Sequence, residues 1–209
     1  MNLPLFIPII WGAAIGAVAI LGLGSYKLFS DDPSRNKLGL LGMQASGKTK
    51  FLCYLRNKVY VPKSTEIEPF DPFEYDNAGN KIYIDAGLDI GGGDLYRSEY
   101  NRIIKNSDVI FYFFDISKYL NDKNQGGIGY RRASNSRLEH IKSTASNMDI
   151  QIVIVGTHID LYSKGKAKAK SEFLKLNESK SYYSILRKIE LINLNDEKEL
   201  RNFTKKVFK

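Results

Sequence analysis

Gly42-Met43-Gln44-Ala45-Ser46-Gly47-Lys48-Thr49 fits the phosphate-binding loop pattern G-x-x-x-x-G-K-[ST]. The residues before it, Lys37 to Leu41 (KLGLL), read as a short buried strand, and those after it, Lys50 to Leu55 (KFLCYL), as the first turns of a helix. Phosphate chemistry needs that strand–loop–helix setting. Glycines let the backbone curl so that successive N–H groups point inward. The start of the helix adds partial positive charge at the same place. In this pattern Gly42, Gln44, Ala45, Ser46 and Gly47 form the cradle, Lys48 reaches the outer phosphates, and the Thr49 hydroxyl ligates Mg²⁺. The competing reading is a glycine-rich turn entering a helix.

Outward from the loop, the chain alternates strands and helices. Glu66 to Tyr75 and Lys81 to Asp85 read as a hairpin closed by the turn Asp76-Asn77-Ala78-Gly79-Asn80. A glycine-rich segment, Gly87 to Gly93, leads to a helix over Leu95 to Lys105. Asp108 to Asp115 (DVIFYFFD) is a nearly continuous apolar run, as in a strand covered on both faces. A helix is predicted from Arg131 to Ala145 and a buried strand over Ile150 to Val155. A last strand is expected at Phe173 to Leu176, and one or two helices from Lys180 onward. The expected fold is α/β: a phosphate-loop NTPase with a mostly parallel six-stranded sheet and helices on both faces. Ligands in such sheets sit beyond the carboxyl ends of the strands. The Gly42–Thr49 loop, Asp85, Asp115 and the segment Thr157 to Asp160 all follow strands there.

The chain has 209 residues, which suits one principal domain plus an appendage. Hydrophobic residues make up 43% and charged residues 26%, enough for an ordinary core. Lys and Arg number 31 against 23 Asp and Glu, for a net charge of +8. That surplus favours nucleotide phosphates or an anionic membrane face; no nucleic-acid recognition motif accompanies it. The single cysteine, Cys53, cannot form an internal disulfide, and its place in the first helix suits a small core residue.

Leu3 to Leu23 contains no charged residue. As a helix it would be roughly 32 Å long, enough for one bilayer crossing. Residues 1–24 are therefore expected to be a transmembrane anchor and 25–36 a linker carrying Ser30-Asp31-Asp32-Pro33-Ser34, with the domain over 37–209. Lys27, Arg35 and Lys37 follow the run and only the terminal amine precedes it, which puts the C-terminal domain in the cytoplasm. A cleaved secretory signal fits less well, since a charged n-region is missing and the apolar run is too long. Gly12 and Gly16 are spaced to let two such helices pack closely.

Gly156-Thr157-His158-Ile159-Asp160 is similar to the guanine-recognition motif N/T-K-x-D. With this segment in place, the domain resembles the Ras-like small GTPase superfamily, closest to the Arf branch and to the signal recognition particle receptor beta subunit, which also carries one N-terminal span. The resemblance implies GTP or GDP with Mg²⁺ as ligands. Asp160 would accept two hydrogen bonds from one edge of guanine, His158 would lie along the base where a lysine is usual, and Thr157 would keep one hydrogen-bonding group. Asp85 matches the aspartate of D-x-x-G, which holds Mg²⁺ through water, although Gly87 then comes one place early. Thr65, with Ser64 beside it, lies where the first switch threonine closes over Mg²⁺. The usual catalytic glutamine is missing; Leu88 and Asp89 occupy the region, and Asp89 is a candidate substitute. Asn177-Glu178-Ser179 faintly resembles the last guanine motif, S-A-K.

The resemblance implies a membrane-anchored GTP/GDP switch on the cytoplasmic face, with a protein effector or receptor as partner. The alternative is a receptor or scaffold subunit that holds GTP as a structural ligand with little or no hydrolysis. An ATP-using kinase would need a substrate lid and acceptor-side residues that the sequence does not display. Lys164, Lys166, Lys168 and Lys170 read as a solvated segment or as a contact for anionic lipid, to which Lys205, Lys206 and Lys209 would add.

Overall fold

In the computed structural model, residues 36–62, 66–92, 97–122 and 129–208 are described. The predicted anchor over 1–24, the linker up to residue 35, and Thr65 lie outside these residues. Among the described residues, no helix is long and apolar enough to cross a membrane.

The chain runs β1 (Leu38–Gly42), α1 (Lys48–Leu55), β2 (Ile67–Phe70), β3 (Phe73–Asn77), β4 (Asn80–Ile84), β5 (Gly87–Ile90), α2 (Arg97–Lys105), β6 (Val109–Asp115), α3 (Ile116–Asn121), α4 (Tyr130–Thr144), β7 (Gln151–Thr157), α5 (Lys166–Asn177), α6 (Tyr183–Leu186), β8 (Glu190–Leu191) and α7 (Glu197–Val207). Six strands form one sheet in the order β2-β5-β1-β6-β7-β8, and β3 and β4 form a separate pair. All neighbours in the large sheet are parallel except β2 against β5. The mostly parallel six-stranded sheet expected from the sequence is therefore present.

The predicted hairpin is longer than the sequence suggested. Phe70 faces Gly87 in one ladder, and three residues further on Phe73 faces Ile84 in the other, so one register runs through both. The ribbon breaks at Asp71-Pro72, where proline cannot donate to the ladder. It closes at Ala78-Gly79, with the Asp76 carboxylate accepting from the Gly79 N–H at 2.7 Å. Its far half is the β3–β4 pair; its near half supplies β2 and β5 to the sheet. Gly87 to Ile90, expected as the start of a glycine-rich loop, is thus the strand beside β1.

Strand β6 carries the core. All seven of its residues are buried, and alternate side chains serve opposite faces. Ile110, Tyr112 and Phe114 pack with Tyr100, Ile104, Tyr119, Leu138 and Phe173, from α2 to α5. Val109, Phe111 and Phe113 pack with Phe51 and Leu55 of α1, Phe203 and Val207 of α7, and Tyr75 and Ile82 of the hairpin. Helices therefore cover both faces. Phe111 lies 5.5 Å from Phe51 and 6.0 Å from Phe208 between ring centroids, so truncating it would cost about 3–5 kcal/mol.

Two expectations are corrected. Phe173 to Leu176 is not a strand; it lies in α5, where Ala169, Phe173 and Asn177 recur every four residues on the buried side. The last strand is the two-residue β8, and the chain after it leads into α7. Cys53 is half-buried rather than in the core, and burial pushes its thiol pKa up, away from the reactive thiolate.

Candidate functional site

The Gly42–Thr49 loop leaves β1 and enters α1 directly, as its sequence requires. The turn into the helix is made by Gly47, at φ 89°, with Lys48 as the first helical residue. A side chain at 47 would be strained by that φ and would strike Leu194, 2.2 Å from the Cβ position. Within the loop the Met43 carbonyl accepts from Ser46 Oγ at 2.7 Å and from Lys48 Nζ at 3.0 Å. Lys48 is 5% exposed. Burial pushes its pKa down to about 8, opposed by the Asp89 charge and assisted by Arg137.

Three side chains from other elements brace this loop. The Tyr100 hydroxyl of α2 donates to the Gly42 carbonyl at 3.0 Å and accepts from the Gly42 N–H at 3.2 Å. Arg137 of α4 donates to the Gly92 carbonyl at 3.0 Å and reaches Met43 Sδ at 3.2 Å. Thr157, at the end of β7, lies with its hydroxyl 3.0 Å from the Ser46 carbonyl and 3.1 Å from that of Phe114. That hydroxyl has one hydrogen to give, directed to these carbonyls, so His158 Nδ1, 2.9 Å away, is assigned as the donor in their contact. Asp115, at the end of β6, caps α3 through the Lys118 N–H at 2.9 Å and lies 3.7 Å from His158 Nδ1.

The carboxylate that meets the loop is Asp89. It is 2% exposed and stands opposite Leu40 on the parallel neighbour β1. Its Oδ2 accepts from Thr49 Oγ1 at 2.7 Å. Asp85 does not have that position. It sits at the bend between β4 and β5, where its N–H donates to the Asn36 carbonyl and its own carboxylate accepts from the Ala86 N–H. The tetrad Asp89-Ile90-Gly91-Gly92 satisfies D-x-x-G without a shift, and that signal identifies Asp89.

A cavity of about 200 Å³ opens beside the loop. Ala45 and Gly47 of the loop line it together with Tyr60, His158 and Asn193 to Asn195. Lys50 bonds the side-chain oxygen of Asn195 and lies 5.9 Å from the Tyr60 ring centroid. Asn193 to Asn195 come just after β8, the last strand, which Asn177 does not follow. Asn177 is instead buried, bonded to Tyr119, Tyr182 and the Phe173 carbonyl. Asp160 lies in the short 3₁₀ turn Ile159–Leu161, exposed, two residues after His158 and not among the residues that line the cavity.

No protein-family profile matches the chain, and no curated protein matches it at a significant level. The chemistry is therefore read from the geometry. Backbone N–H groups at a helix start, a buried ammonium and a hydroxyl–carboxylate pair converge at the carboxyl ends of parallel strands. Such a set can receive a polyanion together with a hard cation. Among the described residues, no group of three or more His, Cys, Asp and Glu could hold a metal. A cation here would be shared between protein oxygens and its ligand. A larger hollow of about 680 Å³ lies between α4 and the turn at Ser179–Tyr182. Arg131 on its rim is engaged with the carbonyls of Tyr119, Leu120 and Asp122, and this hollow has none of the convergence found at Lys48.

Proposed function

We propose that this chain is a membrane-anchored guanine-nucleotide-binding protein of the small GTPase type, acting as a GTP/GDP switch on the cytoplasmic face. The observation that carries the reading is the 2.7 Å bond from Thr49 to Asp89 beside the buried Lys48. A hydroxyl and a carboxylate meeting at the start of a helix are oxygen ligands of the kind Mg²⁺ takes when it also binds phosphate oxygens. The Mg²⁺ roles therefore go to Thr49 and Asp89 rather than to Thr49 and Asp85. Thr65 stays a candidate from sequence alone.

Guanine selection rests on Asp160, with His158 along the base. It is supported by the Thr157 contact with Ser46, which puts the motif and the phosphate loop on one rim. Tyr60 and Asn193 to Asn195 are added as walls of the nucleoside cavity. The membrane anchor remains the reading of residues 3–23. Contact with anionic lipid is less favoured. Lys164 and Lys168 lie 3.3 and 3.9 Å from Glu172, Lys166 lies 3.4 Å from Glu199, and Lys206 pairs with Glu190. Glu172, Glu199 and Glu190 thus offset three of the six lysine charges at 164, 166, 168, 170, 205 and 206.

A second reading has its own support. Asp89-Ile90-Gly91-Gly92 is followed by Gly93, and no glutamine occurs in this region. This favours a subunit that holds GTP as a structural ligand and hydrolyses it slowly. Both readings are tested by extracting the full chain in mild detergent and identifying the nucleotide it carries. Bound GTP favours the structural ligand and bound GDP the switch, and single-turnover hydrolysis then measures the difference. ATP binding as tightly as GTP would end the guanine assignment. So would an unchanged GTP affinity in Asp160→Asn, which should weaken GTP and favour xanthosine nucleotides.

A further inference from the structure

Asn193, Leu194 and Asn195, between β8 and α7, line the cavity beside the Gly42–Thr49 loop. Their backbone is held from both sides. The Asn193 N–H donates to Glu199 Oε2 at 3.1 Å, and the Asp196 N–H donates to the Asn193 carbonyl at 3.1 Å. Leu194 is 7% exposed and packs against Gly47. A segment fixed in this way presents its side chains at set positions.

The orientation of both side-chain amides follows from their partners. Lys50 Nζ has only hydrogens to give, so the Asn195 atom that meets it is the oxygen. The Asn195 backbone N–H likewise only donates, so the Asn193 atom 2.9 Å away is also the oxygen. Each asparagine thus uses its oxygen within the protein and keeps an NH₂ group. Among the described residues, neither NH₂ has a hydrogen-bond partner. The cavity lining is therefore rich in side-chain donors. Tyr60 adds an aromatic ring to it and Leu194 an apolar side chain. A volume of about 200 Å³ suits a ring system, since pockets for complete small ligands start near about 300 Å³. Given the nucleotide reading above, on which this inference rests, that ring is the base.

We propose that Asn193 and Asn195 are specificity-determining residues that read a ring carbonyl, so that the cavity takes a 6-oxopurine and turns away a 6-aminopurine. The oxo oxygen accepts from an asparagine NH₂. An exocyclic amine in the same place sets donor against donor and leaves both unpaired. This selection is separate from the one assigned to Asp160, which accepts from N–H groups of the base and does not line the cavity.

The test uses the full chain in detergent with Mg²⁺. Affinities for GDP, inosine diphosphate and ADP are measured by displacement of a fluorescent GDP. Inosine diphosphate has the carbonyl of GDP and lacks its 2-amino group. Asn195→Asp and Asn193→Asp keep the side-chain shape and the oxygen already in use, and replace the NH₂ donor by an acceptor. In each variant the ratio of inosine diphosphate affinity to ADP affinity should fall at least about tenfold, since one hydrogen bond is lost and an acceptor faces the carbonyl. The ratio of GDP to inosine diphosphate should stay at its wild-type value. Asn195→Ala, which removes the donor and adds no acceptor, should move the first ratio the same way by less. Melting curves confirm that each variant folds. A first ratio unmoved in both folded Asp variants overturns the inference. So does an equal loss of affinity for all three nucleotides, which is what a general charge effect or a purely structural role would give. A wild-type chain that binds none of the three brings down the nucleotide reading and this inference together. A wild-type chain that prefers inosine diphosphate to ADP, with that preference intact in both Asp variants, brings down this inference alone.

Discussion

Replacing Lys48 by Met should make the ligand-free protein more stable while removing the phosphate binding proposed for it. Lys48 is almost fully buried, and its pKa falls from 10.5 to about 8. At about 1.4 kcal/mol per unit, holding the charged form in the folded protein near pH 7 costs about 3 kcal/mol. Methionine fills the volume of the lysine stem without that charge. The Met43 carbonyl, which Lys48 contacts, keeps the Ser46 hydroxyl as a donor. Part of the gain is offset because Asp89 loses a neighbouring cation, so a net rise of about 2 kcal/mol is expected. For a domain of this size that corresponds to about 4–8 °C in melting temperature. The pH dependence identifies the cause. The unfolded chain keeps the Lys48 proton up to about pH 10.5 and the folded chain only to about 8. Between those values the unfolded state binds more protons, so this group's contribution makes the wild type more stable as pH rises. The advantage of Lys48→Met should therefore be full below pH 8 and shrink by about 2 kcal/mol by pH 9.5. Thermal melts by circular dichroism, wild type against variant at each pH and without nucleotide, measure this. A variant less stable than wild type at pH 7, or a gap constant from pH 7 to 9.5, refutes the argument.

Asp89→Asn should retain a hydrogen bond to Thr49 and so fold normally. Its nucleotide release should lose its response to Mg²⁺ by at least about tenfold, whereas Asp85→Asn should leave that response intact; stopped-flow release across a Mg²⁺ titration separates the two. Thr157→Val removes the hydroxyl shared by the Ser46 and Phe114 carbonyls. It should cost about 1–3 kcal/mol in urea unfolding, and Thr157→Ser should restore most of it.

The parts of the fold that were legible in the sequence have local causes. The phosphate-loop pattern fixes β1, the turn at Gly47 and the start of α1, because backbone conformation and helix start are written into eight consecutive residues. The apolar run at 108–115 announces β6, since a strand covered on both faces has no polar alternation to confuse it. The turn at 76–80 locates the hairpin. What the sequence obscured depends on neighbours distant along the chain. Lys166 to Lys170 alternates charged and small residues, which conceals the four-residue repeat of Ala169, Phe173 and Asn177 that makes α5 a helix. Strand β8 has two residues and exists because β7 offers an edge at Val155 and Gly156.

The two aspartates show why a site is harder to read than a strand. Asp85 follows Ile82-Tyr83-Ile84, the better apolar run, and would be chosen by any rule that looks for a carboxylate at the end of a strand. Yet among the described residues that strand pairs only with its hairpin partner, so its end does not reach the loop. Asp89 lies in a weaker segment, Gly87-Leu88-Asp89-Ile90, that becomes a strand because β1 and β2 flank it. Because β5 runs parallel to β1, its carboxyl end lies at the rim where the loop leaves β1, and the register facing Leu40 carries the Asp89 side chain to Thr49. The position of the carboxylate that meets Thr49 is thus set by which strand is parallel to the one bearing the Gly42–Thr49 loop. Local hydrophobicity cannot report that relation, whereas the spacing from Asp89 to Gly92 does: Asp89 must reach Thr49 while Gly92 lies against Met43 and Gln44, and three residues of chain leaving the sheet span that distance.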